Sequence, residues 1–210
     1  MLMENIAQPT ITNDVSRYKE TISDSLSYLE YRELVSKHVS EGTSSGPEQT
    51  EALAQYTLLN DSRLRRLDKT TIVPSEIKRS FENFNGNQTW LVLTESWCGD
   101  AAQSMPMMNA LTELSPNIAF RVALRDDNLA LMNLFLTNDA MSIPKLIVLN
   151  NETEEIINAW GPRPSIATAM VEDFKKEHGA LTPEFKRDLQ VWYNKDKGKT
   201  IAADLATLIG

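Results

Sequence analysis

The chain has 210 residues, 41% of them hydrophobic and 24% charged, a balance that excludes a disordered or fibrous chain. That length holds one domain with an extension, or two small domains. A net charge of −8 and a pI near 4.9 argue against partners that need a basic face, namely nucleic acid and anionic membrane surfaces.

After a tail of about a dozen residues, Tyr18, Ile22, Leu26, Leu29 and Leu34 recur at helical spacing and predict one helix from about Asp14. The stretch Glu41–Gln49 breaks it, with Pro47 suited to a first helical turn. A second helix is expected with Leu53, Tyr56 and Leu59 on its inner stripe and Leu64–Leu67 near its end. A third opens after Pro74, with Ser75 as its cap and Ile77, Phe81 and Phe84 facing inward.

Beyond the turn Asn83–Gln88 the pattern changes. The apolar run Thr89–Thr94 suits a strand buried on both faces, and a helix follows from Gly99 to Leu114. Ile118–Leu124 alternates as a strand and Asn128–Leu136 repeats as a helix. The strands Lys145–Asn150 and Glu154–Trp160 flank the hairpin signal Asn151-Glu152-Thr153. A helix over Ser165–His178 follows, then one carrying Phe185, Leu189, Trp192 and Tyr193, then the turn Asn194–Lys199 and a last helix over Ile201–Leu208. Strands alternating with helices and closing on a hairpin predict an α/β fold with a mixed sheet. The division expected is an N-terminal helical extension over 1–85, an α/β domain over 86–178 and a C-terminal helical tail over 179–210.

The chemistry gathers at Trp97-Cys98-Gly99-Asp100-Ala101, between a buried strand and a helix. A cysteine at a helix N-terminus meets unpaired N–H groups and the positive end of the helix dipole, which favour the thiolate and predict a depressed pKa. Cys98 is the one cysteine of the chain, so no intramolecular disulfide forms and a reducing, cytoplasmic compartment is expected. The start of the sequence lacks the pattern of a secretory signal, and no apolar run reaches the ~20 residues that cross a bilayer. One cysteine and two distant histidines, His38 and His178, give no metal-site spacing, so no bound metal or cofactor is expected.

From about Thr89 to His178 the sequence resembles the thioredoxin superfamily. Trp97-Cys98-Gly99 stands where that family has its Trp-Cys-Gly, and Pro106 matches the proline inside its first helix. Ile143-Pro144 opens the strand Lys145–Asn150 where the family carries its cis-proline, and Gly161 falls where a glycine lines the partner groove. Taken from ESWCGDA through SIPKLIVLN to WGPRP, the chain looks most like a bacterial branch with a helical N-terminal extension. The resemblance implies a thioredoxin-like fold in which Cys98, Trp97 and Pro144 do the chemistry, and this sequence's own Asp100 is added to them as a candidate proton carrier. Gly99, Ile143 and Gly161 would then shape the partner groove; Arg163, Arg125 and Glu95 are added because the C-terminal ends of strands gather the site residues of an open α/β sheet.

One departure is decisive for mechanism. Dithiol members resolve their mixed disulfide with a second cysteine, and that position here is Ala101. A low-molecular-weight thiol, another protein or a second protomer must take its place. The family's buried acid would fall at Val92, leaving Glu95 or Asp100 as substitute proton carriers. Arg125 and Arg163 are suited to hold the carboxylates of a small thiol such as glutathione; the alternative is structural pairing with nearby acids, Asp126 and Asp127 for Arg125. The reading is monothiol exchange with protein or small-molecule disulfides through Cys98. Its alternative is a redox sensor or protein-binding module on the same scaffold.

Overall fold

The computed structural model describes residues 15–209; the N-terminal tail expected from the sequence lies outside them. Four strands form one mixed sheet in the order β2-β1-β3-β4. β1 (Gln88–Thr94) is central and buried at every position. It runs parallel to β2 (Ile118–Leu124), and the crossover that such a pair requires is α5 (Gly99–Thr112). β3 (Lys145–Asn150) lies antiparallel on the other side of β1 and turns through the expected hairpin into β4 (Glu155–Trp160). The apolar run of β1 follows from this position: both its faces are covered and it has no free edge.

The sequence predicts one helix across Tyr18–Leu34, but the chain forms two, α1 (Val15–Asp24) and α2 (Tyr28–Glu41). Ser27 accounts for the break. Its side chain accepts from the Glu30 amide while the Glu30 carboxylate accepts from the Ser27 amide, a reciprocal cap that starts a new helix. Between the helices, Leu26 exchanges two 2.8 Å backbone hydrogen bonds with Val122. The link thereby covers the outer edge of β2, which would otherwise offer unpaired backbone groups. Leu29, placed inward by the periodicity, is 68% exposed.

α3 (Glu51–Thr70) is also turned from its expected orientation. Tyr56 and Leu59 are 52% and 45% exposed, whereas Thr57, Asn60, Asp61 and Leu64 are buried. The helix packs on α2 and α5, and its polar face is drawn inward because backbone groups of the loop after β1 need partners.

α4 (Ser75–Glu82) starts with Pro74, not Ser75, in the capping position, and Phe81 seals it against Trp90 of β1 with ring centroids 5.8 Å apart. α6 shrinks to Leu129–Met132, shorter than the apolar repeat Asn128–Leu136 suggested, and turns follow it into the Thr137–Ala140 bridge. α7 (Ser165–His178), α8 (Pro183–Asp196) and α9 (Lys199–Ala206) complete the fold, with α9 against α4, α5 and α7. No helix among the described residues is long and apolar enough to cross a membrane.

Candidate functional site

β1 ends at Thr94, and the next residues turn sharply: the Cys98 amide donates to the Glu95 carbonyl at 3.1 Å. This turn puts Cys98 at the N-cap of α5, in extended backbone, with its carbonyl accepting from the Ala102 amide at 3.1 Å. The Ile143–Pro144 and Gly161–Pro162 peptide bonds are both cis. The Cys98 thiol donates to the Ile143 carbonyl at 3.3 Å, so the sulfur faces the chain that enters β3 through Pro144. Gly161, at φ +113°, packs directly on the Pro144 carbonyl. Cys98, Ile143, Pro144 and Gly161, far apart in sequence, therefore meet at one end of the sheet.

The expected depression of the Cys98 pKa is reversed. The residue is 7% exposed, and burial pushes the thiol up to about 12, with the Asp100 carboxylate adding to the rise. The Ala101 and Asp100 amides and the Arg163 guanidinium pull it back down. They do not prevail, because a helix terminus contributes on the order of 1 kcal/mol whereas loss of hydration for a buried anion costs several. The Cys98 side chain also makes no capping hydrogen bond of its own.

Asp100 is embraced by two groups. Arg163 Nη2 lies 2.7 Å from one carboxylate oxygen, and the Tyr193 hydroxyl donates to the other at 3.1 Å. Burial raises the Asp100 pKa, opposed by the Arg163 charge and the Tyr193 bond. Arg163, expected to hold a partner's carboxylate, is thus engaged with a carboxylate of its own chain. Its Nε is buried without a hydrogen-bond partner among the described residues.

Arg125 is engaged likewise. It pairs with Asp126 at 2.7 Å rather than with Asp127, and its guanidinium lies 5.0 Å over the Trp97 ring. The Glu95 carboxylate accepts from the Ser45 hydroxyl and from the Asp126 amide, the latter at 2.9 Å. Burial raises its pKa as well. Gly99 lies close to Arg63 of α3: a methyl there would stand 3.4 Å from Arg63 Nη1, an ordinary contact.

Sequence reasoning missed how closely the terminal helices hold this loop. The Tyr31 hydroxyl donates to the Glu95 carbonyl at 3.3 Å, and the Asn60 amide donates to the Ser96 carbonyl at 3.1 Å. The Thr57 and Ser96 hydroxyls are 2.9 Å apart. Ser45 and Ser96 each donate a backbone N–H to the other's hydroxyl, at 2.9 and 2.8 Å. The polar buried side of α3 was the available signal, hidden behind an apolar count that favoured the other face. Among the described residues no three His, Cys, Asp or Glu side chains converge on a point that could hold a metal.

A cysteine capping the helix after a central strand, opposite a cis-proline at the head of the antiparallel neighbour, defines an α/β protein of thioredoxin-like architecture. The family model described as thioredoxin matches residues 46–175, and the chain belongs to that family. Solved structures share the fold. A protein of unknown function from Pseudomonas aeruginosa is 17% identical, with a TM-score of 0.52 over 72% of this chain and 84% of that one. An HIV epitope scaffold is 16% identical, with a TM-score of 0.53 over 88% of this chain and 98% of that one. No curated protein matches the sequence.

Proposed function

We propose that the protein carries out thiol–disulfide exchange through Cys98 alone, with an external thiol completing the cycle. The observation that carries this reading is the direction of the sulfur: Cys98 occupies the N-cap position of α5, and its thiol points at the Ile143 carbonyl, 3.3 Å away, where the chain enters β3 through Pro144. The Cys98 thiolate attacks one sulfur of a disulfide; a Cys98–S–S–R bond forms, the other half leaves as a thiolate, and no net oxidation occurs. A second thiolate from solution then attacks the mixed disulfide, frees Cys98 and carries away the R group as a new disulfide. In this reading Trp97, Gly99, Ile143, Pro144 and Gly161 shape the approach to the sulfur. Asp100 and Arg163 set its charge balance, while Glu95 and Arg125 hold the loop that presents it.

The resting thiol is held protonated, so exchange at neutral pH is slow and runs through a small thiolate fraction. The same burial favours a second reading, a redox sensor or binding module in which Cys98 stays covered. Incubating the folded protein with glutathione disulfide separates the two. Exchange gives one glutathionyl adduct by intact mass, absent in Cys98→Ser and reversed by dithiothreitol. An adduct that forms only when the protein is unfolded overturns exchange and leaves the binding module.

A further inference from the structure

Among the described residues, Arg63 is a cation near Cys98 with no carboxylate at ion-pair distance; the Asp100 charge reaches it only through space. It projects from α3 toward the first residue of α5, its Nη1 donating to Asn60 Oδ1 at 3.0 Å. The methyl that Gly99 lacks would lie 3.4 Å from that Nη1 and 3.9 Å from Asn60 Oδ1. Asn60 in turn donates to the Ser96 carbonyl, so one side chain ties Arg63 to the loop that ends in Cys98.

The acids nearby are already engaged. Asp100 is held by Arg163 and Tyr193, and Asp61 by Arg32 and Arg65 at 3.3 and 2.8 Å. No carboxylate of the described residues lies within ion-pair distance of Arg63. A guanidinium has five N–H donors, and the Asn60 bond is the one that the described residues supply to Arg63. Partial burial and the neighbouring Arg66 charge make its protonated form costlier, against a smaller opposing effect of the Asp100 charge, and an incoming anion offsets the remaining cost.

We propose that Arg63 is the anion-recognition residue of the Cys98 site and selects as exchange partner a low-molecular-weight disulfide or thiol bearing a carboxylate. This rests on the exchange reading. The partner's sulfur bonds to Cys98 while its carboxylate takes the donors that Arg63 has left, in the paired geometry that guanidinium and carboxylate favour. α3 thereby supplies a specificity residue to the site. Arg163 does not serve this role, because neutralising Asp100 occupies it.

The test compares two symmetrical disulfides of similar size, the dicarboxylate 3,3′-dithiodipropionate and the uncharged 2-hydroxyethyl disulfide. Adduct formation on Cys98 is followed by intact mass in the wild type, Arg63→Gln and Arg63→Lys. A charge-assisted hydrogen bond corresponds to about tenfold or more in rate. Arg63→Gln is expected to lose about that factor with the dicarboxylate and to keep the wild-type rate with the uncharged reagent, and Arg63→Lys to recover part of the loss. Thermal unfolding of each variant checks that the fold is intact. Should Arg63→Gln unfold, the wild-type ratio decides: a preference for the dicarboxylate despite the chain's net charge of −8 supports the proposal. Labelling by both reagents without a charge preference overturns the role of Arg63 and leaves exchange standing. Labelling by neither overturns exchange and this proposal together.

Discussion

Asp100 and Arg163 form a 2.7 Å ion pair beside the Cys98 sulfur, and the two act on the thiol in opposite directions. Asp100 raises its pKa by charge repulsion and Arg163 lowers it. Asp100→Asn is therefore expected to lower the Cys98 pKa and to speed alkylation by iodoacetamide near pH 8 by roughly three- to tenfold, in proportion to the thiolate gained. Arg163→Ala is expected to slow the same reaction, since the carboxylate then faces the sulfur with less compensation. Intact-mass kinetics on both variants read the two signs.

Gly161 makes its closest approach at the Pro144 carbonyl, and a side-chain carbon there would penetrate backbone that cannot yield. Its φ of +113° is also a conformation that L side chains rarely adopt. Gly161→Ala is expected to destabilise the protein by about 2–4 kcal/mol and to displace Pro144 from the sulfur. Urea unfolding measures the loss, which should far exceed that of Gly42→Ala, whose added methyl meets nothing within 4 Å.

Asn60 joins α3 to the loop before Cys98 through the Ser96 carbonyl and also accepts from Arg63. Asn60→Ala leaves that buried carbonyl without the Asn60 donor, which costs about 1–3 kcal/mol. If α3 holds the loop closed, Cys98 alkylation in the folded variant also becomes faster than in the wild type. Paired unfolding and labelling measurements report the two effects separately.

Two buried groups give stability opposite dependences on alkaline pH. Cys98 is raised from 9.0 to about 12, so between those values the folded chain holds a proton that the unfolded chain releases; stability falls as pH rises. Lys145 is lowered by burial from 10.5 to about 8, so over that span the folded chain has released a proton that the unfolded chain keeps; stability rises with pH. Each slope approaches about 1.4 kcal/mol per pH unit, and they oppose one another where the windows overlap. Removing Cys98 as Cys98→Ser is expected to leave the rising slope exposed, and Lys145→Met the falling one, in urea titrations from about pH 8 to 10.

The strands and the helix-capping place of Cys98 were legible because both are written locally. A short apolar run between turn residues identifies β1, and a cysteine between strand and helix patterns has little choice of position. The Ser27 cap was harder to see, since an apolar repeat runs straight across it and the break shows only in the Ser27–Glu30 reciprocity. α3 was misread for a related reason: its inward side chains, Thr57 and Asn60, answer polar groups of Ser96 that periodicity does not count. The sign of the Cys98 pKa depended on burial, which arises from chain segments distant in sequence. Tyr193, ninety-three residues from Asp100, could be assigned to a helix face but not to a partner.

Central to the proposed exchange is that Cys98 reacts from the folded state through the small thiolate fraction of a buried thiol, and the pH profile of its alkylation tests this most directly. Rates are taken from about pH 6 to 10.5 by intact mass, with Cys98→Ser as the blank. The folded protein is expected to label at a rate that climbs about tenfold per pH unit without a plateau, because the thiol is held near 12. A plateau near neutral pH would contradict this, as would labelling that tracks global unfolding in urea.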